Sequence, residues 1–140
     1  PQGSNGEYDF FYVFLVNYLL SEKKDTPTGI WISEKDLPGG TTFFRGPHAI
    51  PTHTICSAFA NDQELLKRKC EDLGGEPVEM GDFAYSFRII GSVSVALVFW
   101  LGDDEFPAEA KLLLDSSIAE IYQLDTVYAL LCDVCKRIAH

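Results

Sequence analysis

The chain has 140 residues, 46% of them apolar and 13% aromatic, which suits one folded domain and excludes a disordered acidic polymer. Twenty-one Asp and Glu against eleven Lys and Arg leave a formal net charge of −10. No basic face remains to neutralise phosphates, so nucleic acid and anionic membranes are excluded as expected partners.

Residues 1–7 read as a flexible lead-in, followed by a single globular domain over 8–140. Tyr8 to Lys23 is apolar nearly all round, through Phe10, Phe11, Val13, Phe14, Leu15, Val16, Tyr18, Leu19 and Leu20, and predicts a helix buried on most sides. Its apolar core, Phe10 to Leu20, contains Asn17 and falls well short of the roughly 20 residues of a membrane span. Glu7 and Asp9 stand where a signal peptide would carry basic residues, so the expectation is a cytoplasmic protein with reduced cysteines. The cluster Asp25 to Gly29 turns the chain into a short strand at Ile30 to Ile32. Leu37-Pro38-Gly39-Gly40 turns it again, Thr41 to Phe44 is read as extended, and Arg45-Gly46-Pro47 breaks that stretch. Thr52 or Thr54 is placed as the cap of a short helix through Ala60, and Asn61 as the cap of a helix over Asp62 to Leu73, stopped by Gly74-Gly75.

The period then changes. Phe83, Tyr85, Phe87 and Ile89 alternate with Ala84, Ser86, Arg88 and Ile90, the two-residue repeat of a strand. Gly91-Ser92 turns into Val93 to Leu101, apolar on both faces, so both faces should be covered. Gly102 to Pro107 is an acidic turn. Ala108 to Asp115 fits strand or helix and is assigned as strand, and Asp125 is placed as the cap of a last helix carrying Val127, Leu130, Leu131, Val134 and Ile138. The expected class is α+β: a small central antiparallel or mixed sheet built on the hairpin and packed by helices.

Three groups could carry chemistry. Asp103, Asp104 and Glu105, with Asp115 ten residues on, would supply oxygen ligands for a divalent cation if the chain folded back; a solvated turn is the competing reading. Cys132-Asp133-Val134-Cys135 is a C-x-x-C near a helix C-terminus, the wrong end for a thiolate, and is assigned to the core. His48 and His53 flank a Pro-broken loop near Phe43, Phe44 and Cys56. Imidazole is a usual axial ligand of haem or a corrinoid, and aromatic rings would pack on the macrocycle; a loop histidine bonded to backbone is the alternative. No phosphate loop, nucleophile elbow or dinucleotide fingerprint is found, and no catalytic residue is assigned.

Three stretches together resemble a known family. They are Thr28 to Ser33 with Asp36-Leu37-Pro38-Gly39-Gly40; Leu73-Gly74-Gly75-Glu76-Pro77-Val78 with Gly81-Asp82; and Trp100 to Pro107 with Leu112-Leu113-Leu114-Asp115. In order and spacing, over about Tyr8 to Ile138, they resemble an uncharacterised prokaryotic domain family of unknown function, met mostly in anaerobes. The resemblance implies an accessory domain linked to corrinoid and iron–sulfur metabolism, sometimes fused to an iron–sulfur four-cysteine module that Cys132 and Cys135 do not replace. It also implies a further N-terminal segment before the first helix, so this chain reads as a short or trimmed member. The leading expectation is therefore a non-enzymatic ligand- or partner-binding domain, with a tetrapyrrole-type ligand as its sharpest form. A pure protein-interaction domain and a small metal-dependent enzyme using the Asp103 turn are the alternatives.

Overall fold

The computed structural model describes residues 28–59, 62–90, 93–120 and 123–140. The expected lead-in, the helix Tyr8 to Lys23, the Gly91-Ser92 turn and Asn61 lie outside the described residues. Among the described residues, five strands form one antiparallel sheet: β1 (Trp31–Ile32), β2 (Glu76–Val78), β3 (Phe83–Ile90), β4 (Val93–Trp100) and β5 (Glu109–Asp115). Their spatial order is β1-β5-β4-β3-β2, so the expected hairpin β3–β4 supplies the central strand. The α+β class is as expected, and the stretch assigned as strand over Ala108 to Asp115 is β5, which begins at Glu109.

Alternation sets the faces. Val93, Val95, Leu97 and Phe99 of β4 point one way, with Tyr85 and Phe87 of β3 and Ala110, Leu112 and Leu114 of β5 beside them. All of these are buried in one core. The helices α1 (Gly40–Phe43), α2 (His53–Phe59), α3 (Gln63–Asp72) and α4 (Leu124–Ala139) flank or cover this face. Ile55 and Phe59 of α2, Leu66 and Cys70 of α3, and Val127, Leu131, Cys135 and Ile138 of α4 fill the same core. The last four recur at helical spacing, which is why that stretch folds as an amphipathic helix. No helix among the described residues is long and apolar enough to cross a membrane.

Several local expectations are corrected. Thr41 to Phe44 is not extended: Gly39, at φ 77°, starts a one-turn helix in which Gly40 lies against the Glu34 carbonyl, and Phe44 enters the core. The packing of Gly40 and Phe44 overrides the β-branched threonines, whose side chains stay exposed. Helix α3 is capped by Asp62, whose carboxylate accepts from the Leu65 N–H, rather than by Asn61. Helix α4 begins one residue before Asp125, so Asp125 sits in its first turn, where a carboxylate still faces the positive helix end. Strand β2 was not expected, because Glu76-Pro77-Val78 has no alternation, and it exists because β3 offers it a partner edge.

The chain entering from residue 27 is fixed by Asp115. This carboxylate is buried and accepts from the Thr28 and Gly29 N–H groups at 3.0 Å, from the Ser117 N–H at 3.1 Å and from the Thr28 hydroxyl at 3.1 Å. Burial pushes its pKa up, but the backbone donors of Thr28, Ser117 and Gly29 outweigh that and hold it below the usual value.

Candidate functional site

The loop expected to carry a ligand is built on three short pieces. Helix α1 ends at Phe43, a 3-10 turn spans Gly46–His48 with Pro47 near its start, and α2 begins at His53. His48 stacks on Phe43 with ring centroids 4.4 Å apart and planes 11° from parallel. Its ring also meets Tyr128 of α4 edge to face, at 5.2 Å and 84°. Tyr128 in turn donates its hydroxyl to the Pro47 carbonyl at 3.1 Å and shares a hydrogen bond with the Cys132 thiol, which raises the tyrosine pKa. Two contacts thus bind the loop to α4. His48 itself stays exposed, with one face of the imidazole covered by Phe43.

The other residues expected here go different ways. Phe44 meets Phe43 edge to face at 5.0 Å but is buried at 1% exposure, so its ring belongs to the core and cannot bear on a ligand. His53 is exposed on the first turn of α2. Cys56, one turn on, is half-buried; burial and the Glu109 carboxylate push its thiol pKa up. The structure therefore brings Phe43, Phe44 and His48 together, and adds Tyr128. Tyr128 could have been found from its spacing, four residues before Cys132 and on the flank of the apolar stripe of α4, but a tyrosine there reads first as packing.

A cleft that the loop lines with Ile50 and Thr52, together with Ser33, Glu34, Lys35 and Lys111, has a volume of about 130 Å³. That is below the roughly 300–1,000 Å³ of pockets that enclose a drug-sized ligand. A macrocycle at His48 would lie on the surface. A larger cleft of about 700 Å³ borders β2, the Glu79–Asp82 turn and Lys67, and none of the loop residues lines it.

The acidic group does not assemble. Asp103 closes the β4–β5 turn, accepting from the N–H groups of Glu105 and Phe106 at 2.8 Å, and these bonds lower its pKa. Asp104 and Glu105 are exposed in the same turn. Asp115 lies at the opposite end of β5, about 20 Å along a seven-residue strand. The fold-back that would have joined them is ruled out by β5 running straight beside β4. Among the described residues, no group of three or more His, Cys, Asp or Glu side chains could hold a metal ion.

Cys56, Cys70, Cys132 and Cys135 are free of disulfides. Burial pushes Cys70 and Cys135 up to about 12 and raises Cys132 as well, which disfavours a free nucleophilic thiolate at these positions. Cys135 packs in the core, and Cys132 is tied to Tyr128. Replacing Cys132 and Cys135 together by Ala is expected to leave the zinc and iron content of the purified protein unchanged. Stoichiometric metal that disappears in the double variant, read by atomic emission, would contradict this assignment.

A model described as a domain of unknown function, DUF3786, matches residues 3–137. The chain belongs to this family. The match spans the strands, the helices and the His48 loop alike, and it agrees with the uncharacterised family that the three motif stretches resemble. No curated protein and no solved structure matches the chain.

Proposed function

We propose that this DUF3786 domain is a ligand- or partner-binding accessory module, linked to anaerobic cofactor metabolism, that offers His48 as axial ligand to the metal of a haem or corrinoid. The observation behind this reading is the clamped imidazole: an exposed histidine whose ring is stacked on Phe43 and set at right angles to Tyr128. A preoriented ring loses less freedom on coordination than a mobile loop histidine. Within the loop, this favours His48 over His53, which has no ring contact among the described residues.

Titration of the apoprotein with haem and with cobalamin tests it. A saturable shift of the visible band is expected for the parent and for His53→Ala, and its loss, or at least a tenfold weaker binding, for His48→Ala. Absence of any saturable change in the parent removes the tetrapyrrole reading. Binding that survives in His48→Ala removes the site.

A protein-interaction role has its own observation. Trp100, Leu101 and Phe106 are 37%, 42% and 67% exposed around the β4–β5 turn, and large apolar side chains left in water often mark a contact surface.

A further inference from the structure

The second face of the sheet holds a contradiction. Ala84 of β3 and Ala96 and Val98 of β4 point away from the helices, yet they are 2%, 0% and 2% exposed in the single chain. They lie outside the core that α1 to α4 share with the first face. Among the described residues, the Gly81 turn leans on Val98, so close that a side chain at Gly81 would collide with it. That turn stands beside Val98 and leaves Ala96, one pleat further along, without a partner layer. Small residues in mid-sheet are buried to this degree only beneath a packed layer.

We propose that this face is the docking surface of the chain's own apolar segment Phe10 to Leu20. Three observations select that occupant. First, the burial is already complete in one chain, so a second copy or a foreign partner is not what covers Ala96. Second, the chain arrives on this side: Thr28 and Gly29 are bonded to Asp115, which alternates with Leu114 and so points to the second face, beside Trp31 across the strand pair. Third, the shapes complement each other. The middle of the face carries Ala84, Ser86, Ser94 and Ala96, with the exposed Arg88 and Lys111 on the same side, and the segment contains Phe10, Phe11, Tyr12, Phe14 and Tyr18. Large rings over small residues fill space as an interdigitated layer does.

The lengths also agree. Eleven residues in a helix, as the sequence pattern predicts, extend about 16 Å, enough to cross β5, β4 and β3, which span about 10 Å. Seven residues, Ser21 to Pro27, then reach up to about 23 Å back to the Asp115 anchor. The segment thus gains cover from the buried Ala84, Ala96 and Val98, and the half-buried Leu113 and Trp31 lie at the margin of that patch.

A photo-crosslinking amino acid, p-benzoylphenylalanine, placed at Leu113 of the full chain tests this, with peptide mapping by mass spectrometry. The expected product is an intramolecular link to a peptide within residues 8–24. A link to a second copy, a link to any other segment, or no link at all overturns the assignment. Hydrogen exchange on the unmodified chain gives an independent reading that cannot fail through misfolding of a variant. Amides of residues 10–20 should exchange at least about a hundredfold more slowly than in a free peptide, and free-peptide rates there overturn it equally.

Discussion

Replacing Phe99 by Ala is expected to cost about 3–5 kcal/mol of folding stability, the range for a large aromatic removed from a core. Phe99 is 0% exposed on the central strand, stacked on Phe83 at 5.3 Å, with Ala110 opposite it on β5. Because the sheet is held on both sides of β4, the backbone cannot collapse into the space that the ring leaves. Most of the cavity cost therefore remains. A urea titration measures it directly, and a loss under about 1 kcal/mol would show that β4 is not the centre of the packing.

Asp115→Asn should cost about 2–4 kcal/mol at neutral pH, because hydrogen bonds to a buried carboxylate are charge-assisted and an amide turns one acceptor into a donor facing N–H groups. The sign of its pH dependence follows from the lowered pKa. A carboxyl held below its ordinary value stabilises the fold fully above the unfolded pKa near 4, and that contribution is lost as pH falls through the lower folded value. Thermal unfolding of parent and variant should therefore differ most at neutral pH and converge below pH about 4. A difference that stays constant down to pH 2 would show that the ion contributes nothing beyond its shape.

Much of this architecture is legible in the residues. The alternation from Phe83 to Ile90 and the two-faced β4 announce the hairpin and its central place, since a strand apolar on both sides is stable only when covered on both. Lys111-Leu112-Leu113-Leu114-Asp115 could be read either way, and the sheet decided it: β4 offers a full-length edge, and every second residue of β5 then reaches the core. What the sequence conceals is contact over distance. Glu76-Pro77-Val78 carries no strand pattern and is a strand only because β3 is there. Thr41 and Thr42 favour extension locally, and the burial of Gly40 and Phe44 overrules them. At the candidate site, His48 and Phe43 were suggested by proximity in the chain, five residues apart. Tyr128 is eighty residues further on, and only the fold sets it against that ring. The acidic residues stay apart for the converse reason: the nine residues between Glu105 and Asp115 look short on paper but are mostly a rigid, extended strand.

The outermost strands have a bearing on how the protein behaves when crowded. A sheet border with free N–H and C=O groups is a template on which another chain can add a strand, and long flat borders seed fibrils. Here one border is the two-residue β1 and the other is the three-residue β2, whose middle residue, Pro77, has no N–H to offer. Glu76 beside it adds a charge that a growing ladder of like copies would have to stack against itself. Of the long, hydrophobic strands that could propagate such growth, β4 is interior along its whole length, while β1 covers β5 at Leu114 and Asp115 and β2 covers β3 from Ala84 to Ser86, so among the described residues the borders that remain are short and interrupted.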